Sequence, residues 1–232
     1  MASAIRKVIS NTPVVNSVAR AVYRRLFPQK SLQFERSSQY WEDRYRVGGN
    51  SGAGSYGRLA EFKAEVLNRF VEEHGVKSVI EFGSGDGAQL GLARYPSYIG
   101  VDVSETAVKI GSESFADDPT KQFVTLANLD PATRCDLALS LDVIYHLVED
   151  AIFDDYMQKL FAAADRFVGV YSSNVDKPGP AVHVRHRCFS DWIEKNRPEW
   201  ALISKIDNPY PEDTDNPDHT SWADFYFYER KS

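Results

Sequence analysis

A strand-like run that ends in a glycine-rich turn is the feature that most constrains how this chain folds. Residues 79–90 read Val-Ile-Glu-Phe-Gly-Ser-Gly-Asp-Gly-Ala-Gln-Leu, with glycine at positions 83, 85 and 87. Glycine has no Cβ, so the backbone can bend sharply there and approach a ligand closely. The pattern predicts a strand, a turn and then a helix whose free N–H groups face a carboxylate or a phosphate.

Two kinds of cofactor compete for this turn. The run Gly83-Ser-Gly-Asp-Gly-Ala88 satisfies the dinucleotide fingerprint GxGxx(G/A), but Asp86 would then lie beside an anionic pyrophosphate. Together with Glu81, the same run resembles motif I of class I methyltransferases, which bind S-adenosylmethionine, a ligand with ammonium and sulfonium charges. Both interpretations predict that Asp102, at the end of the next apolar run, grips a ribose. Only the methyltransferase interpretation accounts for Glu81 and Asp86.

The composition is that of an ordinary globular protein. The 232 residues suit one α/β domain with a short N-terminal extension, and 43% of them are hydrophobic. No apolar run approaches the roughly 20 residues that a membrane span needs. Two cysteines, Cys135 and Cys188, are too few for a disulfide framework or a four-thiolate metal site, which fits a reducing cytoplasm. The net charge of −6 gives no encouragement for nucleic-acid binding.

Residues 1–30 form the first of three predicted segments, which are 1–30, 31–75 and 76–232. This segment holds six basic and no acidic residues, and apolar residues four apart predict an amphipathic helix over 14–27. One interpretation is peripheral contact with an anionic membrane surface or a glycan-assembly partner. The other, which we favour, is a helix that covers the domain or a frayed basic arm.

The second segment, 31–75, combines a glycine-rich loop with a leading helix. Five glycines lie within residues 48–57, and we favour a lid that closes over the cofactor, with Ser55 and Tyr56 in contact with it, over a plain linker. Arg58–Val71 has its apolar residues on one stripe, which predicts an amphipathic helix, and Gly75 suits its C-terminal cap.

The third segment alternates strand-like and helix-like runs. Strands are predicted near 78–82, 98–102, 122–126, 135–141 and 166–171, and helices near 88–94, 105–113 and 151–164. Such alternation implies a parallel sheet with helices on both faces and ligands beyond the carboxyl ends of the strands. The aromatic runs Trp200–Ile206 and Trp222–Tyr228 predict an antiparallel strand pair that completes a sheet of about seven strands. The predicted fold is therefore α/β and Rossmann-like.

A second motif, Cys135-Asp-Leu-Ala-Leu-Ser-Leu-Asp-Val-Ile-Tyr-His-Leu147, resembles the fourth-strand motif of class I methyltransferases. In a helical turn, Asp142 and His146 would share one face. A (D/N)PPY sequence, typical of enzymes that methylate nitrogen, is absent here, which favours an oxygen acceptor. A hydroxyl needs a general base near neutral pH, and His146 suits that role, the alternative being a histidine that caps or packs in the turn.

The third cluster, His183-Val-Arg-His186-Arg187, follows Asn174 after the fifth predicted strand. Alternating basic and hydrogen-bonding groups beside an active site suit a hydroxyl-rich or anionic substrate, whereas a solvated charged segment is the plain alternative. The HxxH spacing is compatible with a metal, but no carboxylate or thiolate partner completes a site in the sequence.

Residues from about Tyr40 to Tyr228 resemble class I S-adenosylmethionine-dependent methyltransferases. The glycine-rich loop, the Asp142–Leu147 stretch and the histidine cluster are similar to small polysaccharide-associated enzymes, including sugar O-methyltransferases. This resemblance implies that His146 is the base. Some related sugar enzymes need a divalent cation, but the sequence does not indicate a ligand set for one. It implies contacts to S-adenosylmethionine from Glu81, Gly83, Ser84, Gly85, Asp102, Val103, Asp142, Ser55 and Tyr56, and contacts to a small-molecule or oligosaccharide substrate from Tyr145, Asn174, His183, Arg185 and His186.

Three alternatives stay open on the sequence alone. The first is a methyltransferase for another small molecule, such as a quinone or an amine. The second is a nicotinamide-dependent oxidoreductase, and the third is a module that binds the cofactor without catalysis.

Overall fold

The computed structural model describes residues 34–231, which belong to one compact unit. The helix predicted over 14–27 lies outside the described residues. The α-helices of the described part are α1 Ser37–Arg46, α2 Gly57–Glu73, α3 Glu105–Ser114, α4 Asp150–Ala163 and α5 Phe189–Asn196. The strands are β1 Val79–Phe82, β2 Tyr98–Asp102, β3 Lys121–Thr125, β4 Cys135–Leu141, β5 Ala164–Ser172, β6 Lys177–Pro178, β7 Arg185–His186, β8 Trp200–Ile206 and β9 Asp224–Arg230.

Seven of the strands form one twisted sheet in the order β3-β2-β1-β4-β5-β9-β8. The first five in this order run parallel to one another, and β9 pairs antiparallel with both β5 and β8. The predicted mostly parallel sheet with an antiparallel C-terminal strand pair is confirmed. Strand order reverses between β1 and β4, and a ligand-binding crevice forms at such a point in sheets of this kind.

Two apolar cores cover the two faces of the sheet, which explains why the central strands β1 and β4 are apolar with little alternation. On one face α4 contributes Met157 and Leu160, both fully buried. On the other face α2 contributes Leu67 and Phe70. The predicted helix over 58–71 is confirmed, and Gly75 follows its C-cap residue His74 with a φ of 60°, the left-handed turn that glycine tolerates.

The crossover from β1 to β2 differs from the prediction. The helix expected over 88–94 is a single 3-10 turn at Gln89–Leu92. Gly91 weakens a helix at this point, and Pro96 disfavours helical backbone at the residue before it, so the short segment cannot sustain an α-helix. The turn itself therefore, and not a helix N-terminus, provides the backbone groups at the end of β1.

Several elements were not predicted from the sequence. They are α1, α5 and the two-stranded hairpin β6–β7. The α1 segment is strongly polar, with only Ser37, Tyr40 and Tyr45 buried, so its apolar periodicity is weak. Its position is fixed by tertiary contacts: the Glu42 carboxylate accepts hydrogen bonds from the hydroxyls of Ser104 and Thr106, at the start of α3.

Candidate active site

A cavity opens at the carboxyl ends of β1, β2 and β4, and it encloses about 1120 Å³ including its open mouth. Its walls come from these strand ends, the glycine turn, α1, α2, α4 and the glycine-rich loop. The predicted cofactor residues in its lining are Ser55, Glu81, Gly83, Ser84, Gly85, Asp102, Val103 and Asp142, and the predicted base His146 lines it too. Tyr56 is the one predicted cofactor residue outside this lining.

The glycine turn needs glycine for two separate reasons. Gly83 and Gly85 have φ values of 82° and 57°, in the left-handed region that side chains rarely adopt. A Cβ on Gly85 would also lie 2.3 Å from Ser51 Oγ and 2.6 Å from the Tyr45 hydroxyl. Any side chain at position 85 would therefore clash with Ser51 and Tyr45, which pack against the glycine turn.

Asp102 ends β2 and contacts the glycine turn directly. Its Oδ2 accepts the Gly85 amide at 2.9 Å, and its Oδ1 accepts the Ser104 amide at 2.9 Å. Burial raises the pKa of this carboxyl, whereas the two amides counteract that rise by stabilising the charged form. Each carboxylate oxygen can accept a second hydrogen bond, so the group can hold a diol while the turn stays fixed.

Glu81 is buried on β1 at the cavity wall. Its Oε2 accepts the Tyr98 hydroxyl at 2.8 Å. Burial raises the pKa of Glu81 to about 7, and the Tyr98 hydrogen bond and the Lys63 charge oppose that rise. A cationic group of a ligand beside Glu81 would stabilise its charged form.

Asp142 follows β4 in a left-handed conformation with a φ of 60°, which is uncommon for a residue with a side chain. Its Oδ2 pairs with the Lys63 ammonium at 2.6 Å, and its Oδ1 accepts the Tyr145 hydroxyl at 2.7 Å. Both partners hold the carboxylate at the cavity wall. Tyr145, predicted to contact substrate, thus supports Asp142 and does not line the cavity.

Lys63 was missed by the sequence analysis, although a signal was present. It lies on the stripe of α2 that also carries Leu59 and Leu67, at i+4 from the first and i−4 from the second. Its side chain is 1% exposed and lines the cavity. A charged residue on a buried helix face is rare unless it is paired, so its place on that stripe could have identified it.

His146 lies in a 3-10 turn at Ile144–His146, between β4 and α4. Its Nδ1 is 3.1 Å from the backbone carbonyl oxygen of His183, and the Trp41 ring lies edge-on at 4.9 Å. Burial lowers the pKa of His146 to about 4. The imidazole is therefore neutral at physiological pH, and its basicity is well below that of an ordinary histidine.

The glycine-rich loop contacts the glycine turn directly. Ser51 Oγ donates to Asp86 at 2.6 Å and accepts the Asp86 amide at 3.2 Å, and the Tyr45 hydroxyl lies 2.9 Å from the same Oγ. The Tyr56 hydroxyl reaches the other Asp86 oxygen at 3.4 Å. In the sequence, Asp86 was noted as unsuited to a pyrophosphate. In the structure, its contacts hold the glycine-rich loop against the glycine turn.

Besides Tyr145, which precedes His146 in the same turn, His183 is the predicted substrate residue that contacts His146. Its ring stacks on Tyr40 at 4.5 Å and on His146 at 5.7 Å. Asn174 instead accepts the Ser190 amide in the first turn of α5 and donates to the Ser190 hydroxyl. His186 pairs with Ser173 at 2.7 Å.

Arginines of the same segment bind the chain itself. Arg185 reaches Asp150 at 2.9 Å. Arg187, which is buried and was not predicted as a site residue, donates to the carbonyl oxygens of Leu147 and Val148. The polar groups of this segment mostly hold the turn that carries His146, because that turn leaves carbonyl oxygens without helical partners.

Within residues 34–231, no group of three or more histidine, cysteine, aspartate or glutamate side chains is arranged to hold a metal ion. His183 and His186 accordingly do not belong to a cluster of this kind. No helix in that same range is long and apolar enough to cross a membrane.

The similarities to known proteins lie in structure. No protein-family profile and no curated protein sequence matches the chain. Magnesium protoporphyrin IX methyltransferase from Synechocystis PCC 6803 with bound SAH is similar, with a TM-score of 0.61 and 16% identity over 84% of this chain and 98% of that one. The N-methyltransferase NodS from Bradyrhizobium japonicum WM9, in complex with S-adenosyl-L-homocysteine, has a TM-score of 0.63 and 13% identity over 85% of this chain and 100% of that one.

The methyltransferase domain of bacterial CtHen1-C is also similar, with a TM-score of 0.56 and 15% identity over 73% of this chain and 97% of that one. The chain has the class I methyltransferase fold. In this fold the cavity described above lies at the carboxyl edge of the sheet, where the reversal in strand order opens the crevice.

Proposed function

We propose that this protein is an S-adenosylmethionine-dependent methyltransferase, and the charge of its cavity carries the proposal. Lys63 is the one lysine or arginine among the lining residues of the described chain, against four carboxylates, those of Glu81, Asp102, Asp142 and Asp155. S-Adenosylmethionine carries an ammonium, a sulfonium and one carboxylate, so its net charge complements this lining. The pyrophosphate of a nicotinamide dinucleotide would bring further negative charge into a lining that has four carboxylates and a single cation.

The residues present also fit the shape and the donor set of this cofactor. Asp102 offers two acceptor oxygens to a ribose diol, and the turn at Gly83 and Gly85 leaves backbone exposed beside it. The apolar side chains of Val103 and Leu126 line the cavity beyond Asp102 and suit the faces of a purine. Bound there, the cofactor would supply a sulfonium-linked methyl group, and its transfer to an acceptor leaves S-adenosylhomocysteine.

The chain's own contribution to the chemistry is to position the acceptor and remove its proton. A backbone carbonyl only accepts hydrogen bonds, so Nδ1 of His146 carries the ring proton that it donates to His183. Nε2 is then the free base. An acceptor hydroxyl held near Nε2 loses its proton to it as its oxygen bonds the methyl carbon, which general-base catalysis accelerates by roughly 10²–10⁴-fold.

For the acceptor we propose a hydroxyl of a sugar or oligosaccharide, as the sequence resemblance implies. A second candidate is an acceptor with an apolar body, such as a quinol. Ile152 lines the cavity and stays 47% exposed, which favours apolar contact with such an acceptor.

Parallel calorimetric titrations with S-adenosylmethionine, S-adenosylhomocysteine and NAD test the cofactor. We expect the first two to bind and NAD to show no heat beyond dilution, and the reverse result would reject the proposal. Methyl transfer is then measured with isotopically labelled cofactor against three acceptor panels: free and lipid-linked sugars, quinols, and primary amines. Transfer to amines alone would reject an oxygen acceptor, and binding without transfer to any panel would favour a non-catalytic module.

A further inference from the structure

Two buried polar groups in the cavity lining have hydrogen-bonding capacity that the described chain does not use. One is the ammonium of Lys63 on α2, and the other is the side-chain amide of Gln89 in the 3-10 turn after the glycine turn. Both lie outside the motifs that identified the cofactor site. Their side chains are 1% and 7% exposed, and both line the cavity.

Lys63 carries three N–H donors, and Asp142 accepts from one of them. A buried ammonium with a single acceptor leaves donors unpaired, which is costly away from water. Within residues 34–231 no second hydrogen-bond acceptor contacts this ammonium, although the Tyr171 ring lies 5.4 Å away. The free donors suit a carboxylate of a bound ligand.

Gln89 is oriented by one hydrogen bond, and its buried side-chain carbonyl oxygen lacks a partner in the described chain. Its Nε2 donates to the carbonyl oxygen of Ala60 at 3.0 Å, and this fixes the amide because a carbonyl cannot donate. Its Oε1 is buried and has no hydrogen-bond partner in the described chain. An orphaned acceptor on a cavity wall that also carries the Glu81 carboxylate suits a cationic donor.

We infer that Lys63 and Gln89 bind the amino-acid end of the cofactor, with Lys63 on its α-carboxylate and Gln89 Oε1, beside Glu81, on its α-ammonium. This inference rests on the proposed function and extends it. It assigns the two charged groups of the cofactor's amino-acid end to two residues from different elements. Lys63 comes from the helix before the sheet and Gln89 from the crossover after β1. The pairing therefore couples α2 to the glycine turn when the ligand is bound.

Three ligands that differ only at this end provide the test by calorimetry. S-Adenosylhomocysteine has both groups, S-adenosyl-3-thiopropylamine lacks the carboxylate, and 5′-methylthioadenosine lacks both. In the wild-type protein we expect each loss to weaken binding by about tenfold or more, since each removes a hydrogen bond between charged groups or to a charged group.

The two variants have different expected signatures. Lys63→Met is expected to weaken S-adenosylhomocysteine by about tenfold or more and the other two ligands by less than about twofold. Gln89→Leu is expected to weaken the two ligands that carry the ammonium and to leave methylthioadenosine unchanged. Lys109→Met, at an exposed lysine of α3, is the matched control and should alter none of the three.

Lys63→Met leaves the Asp142 carboxylate without its cation. The double variant Lys63→Met/Asp142→Asn removes both charges of this ion pair, and it replaces the single variant in the titrations if the single variant misfolds. If Lys63→Met keeps the wild-type preference for S-adenosylhomocysteine over the thiopropylamine, or weakens all three ligands equally, the role of Lys63 is rejected. If Gln89→Leu keeps the wild-type preference for the thiopropylamine over methylthioadenosine, or weakens all three ligands equally, the role of Gln89 is rejected. If the wild-type protein binds none of the three, the proposed function itself fails, which distinguishes the two failures.

Discussion

His146 and His183 are joined by a hydrogen bond in which the ring Nδ1 of the first lies 3.1 Å from the backbone carbonyl oxygen of the second. This contact selects the tautomer of His146, because the carbonyl oxygen requires a proton on Nδ1. Arg187 holds the Leu147 and Val148 carbonyls of the same turn, so the backbone around His146 is fixed as well. Backbone contacts thus give His146 one defined unprotonated nitrogen, as the proposed base role needs, and the His183 side chain does not take part in selecting it.

His146→Asn should separate catalysis from binding. The variant removes the free Nε2, so we expect kcat to fall by about 10²–10⁴-fold while the affinity for S-adenosylhomocysteine changes by less than about threefold. Turnover by labelled methyl transfer and titration calorimetry provide the two measurements. His219→Asn, at an exposed histidine of the β8–β9 connection, is the control. Full turnover in His146→Asn would remove this residue from the mechanism.

The affinity for the cofactor should depend on pH through Glu81. Burial raises the pKa of Glu81 to about 7, so the carboxyl is largely neutral below that pH and charged above it. A ligand ammonium pairs with the charged form, and affinity should therefore fall on acidification below pH 7, by up to about tenfold per pH unit. Titration of S-adenosylhomocysteine between pH 5.5 and 7.5 measures this slope.

Two controls identify the group responsible for that slope. Methylthioadenosine has no ammonium, so its affinity should stay flat over the same range in the wild-type protein. Glu81→Gln removes the titrating group and should give weaker, pH-independent binding of S-adenosylhomocysteine. A slope that persists in Glu81→Gln would assign the pH dependence to another residue.

The sequence was sufficient for the sheet because its central strands are apolar runs with a carboxylate at or beside the carboxyl end, namely Glu81, Asp102 and Asp142. Two short motifs placed those three carboxylates at one edge, and the structure brings them together around one cavity. The C-terminal pair was also predictable, since the runs now in β8 and β9 are dense in aromatic and β-branched residues.

The parts that the sequence did not reveal depend on tertiary contacts. The α1 helix has a polar composition, and Glu42 fixes it by binding Ser104 and Thr106, which lie about sixty residues later. Asn174 was assigned to substrate from its position after a strand, yet its amide is used at the start of α5. The sequence alone does not distinguish a polar residue that binds a ligand from one that makes hydrogen bonds to nearby backbone groups.

Gly85→Ala should disturb the closure of the glycine-rich loop. The added methyl group would lie 2.3 Å from Ser51 Oγ and 2.6 Å from the Tyr45 hydroxyl, at a φ of 57° that alanine disfavours. We expect Ser51 to leave Asp86 and the affinity for S-adenosylhomocysteine to fall by about tenfold. Gly91→Ala is the matched control, since a Cβ there meets nothing within 4 Å. Equal affinity in both variants would contradict the tight fit between turn and loop.

Asp102→Asn should weaken the cofactor at its ribose. The amide keeps the size of the carboxylate but replaces one acceptor oxygen by a donor and removes the charge, so hydrogen bonds worth about 1.5–3 kcal/mol each are affected. We expect S-adenosylhomocysteine and methylthioadenosine to lose affinity alike, by about tenfold or more, because both carry the ribose. Lys63→Met, in contrast, should affect only the ligand that has the carboxylate.

Thermal unfolding of Asp102→Asn without ligand is the accompanying control. Asp102 also accepts the amides of Gly85 and Ser104, so a modest loss of stability is expected from the same substitution. Adenosine, which retains the ribose but has no methionine part, should follow the same loss of affinity if it binds. Unchanged affinity for all ribose-bearing ligands would contradict the assignment of Asp102, and it would move the ribose to another part of the cavity.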